Sequence, residues 1–283
     1  MAGSSGFSLK EIKAARFSVS DALACRFLQT SAGVRGRVAA MKPVLNRSLP
    51  PECAPDRALP GVAPLAADDW LRVDEAYAGQ MAEKRARLAG QRADALFEGA
   101  GSQAAADELL TEVLALLPGL GFEVRGTQVT GPDGHVTDTA ADTPLAVLGQ
   151  LVQEDLCILQ KQGAEHVLTA AVLCFPAGWT LAEKAGRPLG AIHTPVNSYD
   201  AGMARRVQRL FDGVRAGRPL WRNNWLAYDV PDLWQPHSET DPPRAPVDAA
   251  SAPWLRVERQ CILRLPVSSA VVFTIHTYVV AAG

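Results

Sequence analysis

The pattern of apolar and polar positions divides the chain into a helical first part and a strand-rich second part. Between about residues 68 and 117, apolar side chains recur at three- to four-residue steps, which is the spacing of amphipathic helices. From residue 156 onward the apolar runs are shorter and rich in β-branched residues, as is typical of strands.

The first part predicts three helices and a small β unit. Asp68 and Asp69 can cap a helix that continues to about Arg92, and a second helix covers about 104–117. Residues 122–130 alternate as a strand does, a turn signal follows at 131–134, and a third helix covers 144–152.

The second part predicts a hairpin, then helices, then three strands. The hairpin joins 156–161 to 166–175 through the turn residues 162–165. An amphipathic helix follows at 200–213, with Arg205, Arg206 and Arg209 opposite its apolar face. The last strands are predicted at 219–228, 254–265 and 270–280, and the proline-rich stretch 236–253 is predicted to be a mobile surface loop.

One histidine lies in a short segment with several helix signals. Thr180 and Glu183 have the spacing of a capping box, and Gly186 permits the left-handed residue that ends a helix. Pro188 suits the start of a second helical turn, and Pro195 predicts that this turn ends near His193.

Two interpretations of His193 remain open on spacing alone. A lone histidine is commonly a hydrogen-bonded structural residue. No Cys or His lies three or four positions away to complete an all-protein zinc site. Haem needs only one axial side chain, so a haem ligand stays possible.

Charge and hydropathy exclude two classes of function. The net charge of −2 offers no basic field for nucleic acid. The longest apolar run, 167–175, is far shorter than the roughly 20 residues of a membrane helix. We therefore expect neither a nucleic-acid partner nor membrane insertion.

The cysteines and the N-terminal region bear on localisation. The chain has 5 cysteines and no C-x-x-C pair, which predicts a reduced, cytoplasmic protein without disulfides. Residues 1–58 are basic and then proline-rich, which predicts a poorly ordered extension; a transit peptide remains an alternative for its first 50 residues.

Several ordered motifs resemble those of the haem-dependent oxidative N-demethylase α-subunit family, which was long known only as a domain of unknown function. The resemblance covers about residues 60–280. The matching segments are Trp70–Asp74 with Tyr77, Gln153–Leu156, Phe175–Trp179, Lys184–Val196, Arg222–Trp225, Arg256–Gln260, Arg264–Pro266 and Phe273–Tyr278. The chain departs from the family pattern at Asn197, where proline is usual, and at His276, where arginine is more common.

The resemblance implies an α+β fold with a PAS-like core. In such a core a five-stranded antiparallel sheet packs against short helices, and the haem lies between them. The order of the predicted elements agrees with this over 151–283, preceded by a helical lead-in with a small β-hairpin at 59–150.

The resemblance also implies an activity. It predicts a haem b (iron) oxygenase subunit that uses O₂ to demethylate a small secondary amine such as dimethylamine. No side chain performs this redox chemistry, so a cofactor must supply it. Electrons would come from a flavin/iron–sulfur reductase subunit. The alternative is a haem-binding PAS-type gas or redox sensor without turnover.

Strand alternation, together with the resemblance, selects candidate site residues. His193 is the expected iron ligand, and Trp225, Gln260 and His276 are expected to contact the cofactor. The expected catalytic residues are Arg222, Asn224 and Glu258. In these roles Glu258 pairs with a protonated amine, while Arg222 or Asn224 donates a hydrogen bond to bound O₂.

Simpler interpretations of the charged residues remain open. Glu258, Arg259 and Arg264 can instead form solvent-facing ion pairs between strands, which stabilise a protein little. Glu154 and Asp155 can be substrate carboxylates or surface charges, and the sequence slightly favours the surface.

Overall fold

A seven-stranded antiparallel sheet forms the centre of the fold in the computed structural model of the chain. The structure describes residues 43–53, 61–193, 201–245 and 247–282, without the side chains at positions 193 and 201. The sheet has five long strands, which are β6 (Asp155–Gln162), β7 (Glu165–Val172), β8 (Leu220–Tyr228), β9 (Trp254–Arg264) and β10 (Val271–Ala281).

Short strands extend this sheet at both edges. These are β1 (Ala63–Pro64) and β2 (Leu96–Glu98), and the full order is β1-β8-β9-β10-β6-β7-β2. The prediction of a five-stranded sheet is therefore too small by these two edge strands. A second sheet has three strands, β3 (Glu123–Arg125), β4 (Gln128–Thr130) and β5 (Val136–Asp138).

The helices fall into two groups along the chain. The lead-in before the hairpin contains α1 (Tyr77–Gly90), α2 (Arg92–Ala95), α3 (Gln103–Leu116) and α4 (Pro144–Leu151), with 3₁₀ turns at Pro51–Cys53 and Leu117–Leu120. The group between β7 and β8, called the helix cluster below, contains α5 (Leu181–Lys184), α6 (Leu189–His193) and α7 (Ala201–Gly213).

Two predictions for the lead-in are wrong in detail. The strand predicted at 122–130 is two strands, because Gly126 takes φ 60° and reverses the chain. The first helix begins at Tyr77 rather than near Asp69, because buried side chains accept hydrogen bonds from the backbone amides of the preceding segment. The amide of Arg72 donates to Glu154 Oε1 at 2.8 Å, and that of Asp74 donates to Gln153 Oε1 at 3.0 Å.

The two faces of the large sheet are covered by different parts of the chain. One face, called the lead-in face, packs Met81, Leu109 and Leu148 against strand residues such as Ile158 and Val272. The opposite face, called the cluster-side face, is covered by the helix cluster. Its apolar residues are Leu181, Leu189, Phe211 and Val214 from the helices with Cys157, Ile262 and Ile275 from the strands.

Part of the predicted N-terminal extension lies against the sheet. The side-chain oxygen of Asn46 accepts a hydrogen bond from the backbone amide of Val279 at 3.1 Å. The backbone amide of Asn46 donates to the Val279 carbonyl at 2.7 Å. Cys53 packs against Val257 and Tyr278. Residues 43–53 therefore belong to the packed structure, while the predicted extension over 1–42 lies outside the described residues.

The proline-rich segment between β8 and β9 is held to the body of the protein. Gln235 exchanges backbone hydrogen bonds with the 176–178 segment, and Arg244 Nη2 donates to the carbonyl of Pro236 at 2.6 Å. Ser238 and Glu239 bond to the helix cluster, as described below. The first part of 236–253 therefore lies on the surface and bonds to the helix cluster, while its predicted mobility stays a prediction.

Candidate functional site

Strand register brings four of the predicted site residues together. Arg222 on β8 is the direct partner of Gln260 on β9, and Asn224 is the partner of Glu258. Directly paired residues of antiparallel strands share one face of a sheet. Because the neighbouring pair Leu220–Ile262 packs in the helix-cluster core, all four residues belong to the cluster-side face.

Glu258 is the centre of this polar group. Its side chain is buried, with 4% of its surface exposed. Gln260 Nε2 donates to Glu258 Oε2 at 3.0 Å, and Asn224 Nδ2 donates to the same oxygen at 3.2 Å. The interpretation of Glu258 as a solvent-facing charge is therefore wrong. A buried carboxylate without partners would cost several kcal/mol, so these amides stabilise Glu258 in its buried position.

Arg256 completes the group and was not among the predicted site residues. Its Nη2 lies 3.2 Å from Glu258 Oε1, and its Nη1 donates to the Leu233 carbonyl at 2.8 Å. The guanidinium also donates to the carbonyl of Phe175. Strand alternation contains the signal that finds it, since positions 256, 258 and 260 share a face.

Arg222 differs from Arg256 in having few partners. Burial lowers the pKa of its guanidinium, and the nearby Glu258 carboxylate opposes that shift. Its Nε, like that of Arg256, is buried without a hydrogen-bond partner among the described residues, and unlike Arg256 its guanidinium makes no hydrogen bond to another described residue. A desolvated guanidinium with free donors is suited to bind an anionic group.

Trp225 and His276 lie on the lead-in face, away from the other candidates. Trp225 pairs with Val257 and His276 with Arg259, and both partners alternate with Glu258 along β9. Arg259 likewise points away from the polar group, and its Nη2 donates to the carbonyl of Asp69 at 2.6 Å. The expectation that Trp225 and His276 contact the same ligand as Gln260 therefore needs correction, because the sheet lies between them.

His276 is bound by two carboxylates instead. Its Nδ1 lies 2.9 Å from Glu154 Oε1 and its Nε2 lies 3.1 Å from Asp74 Oδ2. Burial alone would lower the pKa of the imidazole, but the Glu154 charge and the hydrogen bonds to Asp74 and Glu154 raise it to about 9. The imidazolium leaves neither ring nitrogen free for iron.

Glu154 and Asp155 are both fully buried, so the preference for surface charges is wrong. Asp155 Oδ1 lies 3.0 Å from Lys84 Nζ, and its two oxygens accept the amides of Cys174 and Phe175. These carboxylates bind the lead-in to the sheet.

The segment before His193 follows the predicted turns. Thr180 precedes α5, and its hydroxyl donates to Glu183 Oε2 at 2.6 Å rather than capping the backbone of the helix. Gly186 takes φ 70°, the left-handed conformation that ends the helix. His193 is the last residue of α6, and its side chain, the predicted iron ligand, lies outside the described residues.

A set of hydrogen bonds, called the 238–239 clamp below, holds α5 and α6 together. Lys184 Nζ donates to the Ile192 carbonyl at 2.8 Å and to Glu239 Oε1 at 2.7 Å. Glu183 Oε1 accepts the Ser238 hydroxyl at 2.6 Å and the Glu239 amide at 2.8 Å. The residue directly before His193 is thus fixed by the β8–β9 segment.

The sequence profile of one protein family matches residues 61–282, which is most of the chain. That family is described as haem-dependent oxidative N-demethylase, alpha subunit-like. The chain therefore belongs to this family. The description names haem, an oxidative demethylation, and an α subunit, which implies a partner subunit.

Two features of the cluster-side face agree with a haem group. Leu189, Ile192, Phe211 and Ile275 form an apolar core there, and a porphyrin ring needs apolar neighbours. Arg222 provides free donors for a carboxylate or another anion. In the described part of the chain, no three His, Cys, Asp or Glu side chains cluster to hold a metal ion. No helix of the described residues is long and apolar enough to span a membrane.

Proposed function

We propose that the chain is the haem-binding oxygenase subunit of an oxidative N-demethylase that acts on a small secondary amine, such as dimethylamine. The observation that supports this most directly is Glu258. It is a buried carboxylate held by two amides and a guanidinium on the sheet face that the His193-bearing helix cluster covers. Family membership supports the haem chemistry.

The haem site is proposed to lie between the helix cluster and the sheet, where His193 would hold the iron. Five adjacent long strands, with short helices inserted between the second and the third, support a PAS-like description of this core. When bound, haem b supplies the O₂ activation that no side chain can perform.

Glu258 is proposed to bind the protonated amine. A carboxylate has about four acceptor positions, and Asn224, Gln260 and Arg256 occupy three of those on Glu258. One position remains for an N–H group of a small ammonium ion. Asn224, Gln260 and Arg256 then act as positioning residues, because they fix the direction of that acceptor.

Arg222 is proposed to stabilise negative charge on the O₂ side of the reaction. Asn224 was the alternative donor, but its amide nitrogen already bonds to Glu258. The Arg222 guanidinium makes no hydrogen bond to another described residue, so its N–H groups are proposed to bind a ligand. Donors that are fixed before reaction stabilise developing charge more effectively than water does.

The overall reaction requires a source of electrons. One oxygen atom of O₂ enters formaldehyde with the removed methyl carbon, and the other leaves as water. The amine loses its methyl group, and two electrons and two protons are consumed. We propose that a flavin/iron–sulfur reductase subunit delivers the electrons, in a cytoplasmic complex. The free, buried thiols of Cys53, Cys157, Cys174 and Cys261 agree with a reducing compartment.

The central test is formaldehyde production. Purified protein loaded with haem is mixed with a chemical reductant, O₂ and a panel of methylated amines. We expect formaldehyde from small secondary amines, and we expect Glu258→Gln to raise the KM for the amine while haem binding is unchanged. A haem-loaded protein that yields no formaldehyde with any amine would overturn the proposal and favour the sensor, whose ligand binding consumes no electrons.

The iron ligand is tested separately by absorbance. His193→Ala is expected to lose haem or shift its Soret band, while His166→Ala and His237→Ala retain it. His166 is a suitable control because it is a buried histidine in contact with the helix cluster. Its Nδ1 lies 2.9 Å from Nε2 of Gln208 on α7. An unchanged Soret band in His193→Ala would show that another residue binds the iron.

A further inference from the structure

A basic surface lies along α7 and the turn that follows it. Five arginines within fourteen residues are all exposed; they are Arg205, Arg206, Arg209, Arg215 and Arg218. They are called the arginine surface below. None of their side chains has an ion pair or hydrogen bond within the described part of the chain. The nearest acid on α7, Asp212, pairs with Lys161.

The helix that bears three of these arginines already uses its apolar face. Phe211 and Val214 are buried in the helix-cluster core, and Val207 and Leu210 pack against it. A helix that binds a lipid surface needs a free apolar face, so α7 is unsuited to that role. The exposed face of α7 carries charged side chains instead. Arg205 and Arg209 are four residues apart, so they lie about 6 Å apart along the helix axis.

The two remaining arginines border an apolar groove at the end of α7. Gly217 takes φ 71° in the turn that joins Arg215 to Arg218. The same turn lines a groove with Pro64, Leu65, Val214 and Leu220. Protein interfaces combine apolar anchors with surrounding charges in this way. The groove begins four residues after Arg209, which corresponds to about 6 Å along the axis of an α-helix.

A nucleic acid fits this surface less well than a protein does. The chain has a net charge of −2, and the large apolar side chains exposed in its described part are all valines. Single-stranded nucleic acids are bound by basic grooves together with aromatic rings on which bases stack. An acidic protein surface can be bound by the arginine side chains and the apolar groove, without such aromatic rings.

We propose that the arginine surface is the docking site for an acidic face of the electron-donating partner subunit. This rests on the proposed function, which requires such a partner. The position is suitable because α7 packs beside α6, the helix that ends at His193. A donor bound here would approach the cofactor site from the helix side, opposite the amine-binding strands.

The test measures docking without electron transfer. The haem-loaded chain is titrated against a small acidic [2Fe–2S] ferredoxin at low and at physiological ionic strength. The variant Arg205→Gln/Arg206→Gln/Arg209→Gln is compared with Arg47→Gln/Arg92→Gln/Arg125→Gln, which removes the same charge from exposed arginines elsewhere. We expect the first variant to raise the Kd at least about tenfold and the control to change it less than about twofold.

Several outcomes would overturn the proposal. These are no binding of the ferredoxin by the unmodified chain, equal losses in both variants, or tighter binding of a 20-nucleotide single strand that the arginine variant abolishes. Haem uptake and formaldehyde yield are recorded on the same samples. If the ferredoxin docks at the arginine surface but no amine is demethylated, the proposed function fails while the docking site stands, and the reverse result is equally distinguishable.

Discussion

His276 Nδ1 lies 2.9 Å from Glu154 Oε1, inside the contact between the lead-in and the sheet, where neither side chain reaches solvent. Asp74 bonds to the other ring nitrogen. Burial opposes ionisation of Asp74, but its hydrogen bond to His276 and the imidazolium charge lower its pKa. One cation thus joins two carboxylates from different segments of the chain.

Stability is expected to depend on pH through this imidazolium. The pKa of His276 rises from an ordinary value of 6.5 to about 9 on folding, so its contribution is complete below pH 6.5 and is lost as the pH rises through 9. A shift of this size corresponds to about 3 kcal/mol. Urea unfolding at pH 6, 7.5 and 9 measures the slope.

His276→Gln is the control for that slope. It removes the charge between Glu154 and Asp74 and is expected to lower the free energy of unfolding at pH 6 by about 3 to 5 kcal/mol. The pH dependence between 6.5 and 9 should largely disappear. An equal slope in this variant would show that other groups produce it.

The buried Lys84–Asp155 pair is expected to matter far more than a comparable pair at the surface. Lys84 Nζ also donates to the Glu154 carbonyl at 2.6 Å, so Lys84→Met leaves buried acceptors without a donor. We expect a loss of about 3 to 5 kcal/mol. Lys161→Met, which breaks the exposed pair with Asp212, should cost less than about 1 kcal/mol. Chemical denaturation compares the two, and similar losses would contradict the distinction.

Arg222→Met is expected to stabilise the haem-free protein and to weaken haem uptake. The guanidinium is desolvated and its Nε lacks a partner in the described region, so its removal should raise the free energy of unfolding by about 1 kcal/mol. Thermal unfolding without haem and haem titration measure the two effects.

Arg264→Met is the matched control, because Arg264 shares a sheet face with Gln260 but donates to several backbone carbonyls. Those of Phe211, Val214 and Ser269 each lie 2.7 Å from its guanidinium. This variant should be destabilised by about 2 kcal/mol. The interpretation fails if both arginine variants shift stability in the same direction.

The 238–239 clamp is expected to hold the helix that ends at His193. Lys184→Met removes the donor to the Ile192 carbonyl and the pair with Glu239. Hydrogen exchange of the 189–193 amides should become at least about tenfold faster, and the Soret band of the haem-loaded protein should broaden. Arg187→Met, which removes the more exposed pair with Glu239 and a hydrogen bond to the Glu183 carbonyl, is the control and should change exchange little. Unchanged exchange in Lys184→Met would contradict a positioning role.

The sequence predicted the strands well because each buried strand has its own apolar pattern. Strand β10 was expected at 270–280 and lies at Val271–Ala281, and α7 was displaced by one residue at its start. The start of α1 could not be predicted. It depends on side chains of Gln153 and Glu154, about 80 positions away, that accept amides of the preceding segment.

The candidate site was predictable within strands but not between them. Alternation placed Arg222 with Asn224, and Glu258 with Gln260. Whether His276 on the next strand shares their face depends on register, and the register pairs it with Arg259 instead. A shift of one residue moves every side chain of a strand to the other face. The sequence of one strand therefore shows which of its side chains share a face. It does not show which side chains of the neighbouring strand lie on that same face of the sheet.

The alternation along β9 has a consequence for how this protein can evolve. Positions 258 and 260 belong to the polar group on the cluster-side face, while 259 and 261 are buried against the lead-in. Under the proposed function, positions that set substrate preference therefore alternate with positions that maintain the fold. Changes on the cluster-side face are coupled to one another, because a change at Gln260 alone removes a donor from the buried Glu258 carboxylate. A related chain that acts on a different substrate should diverge along this strand with a period of two.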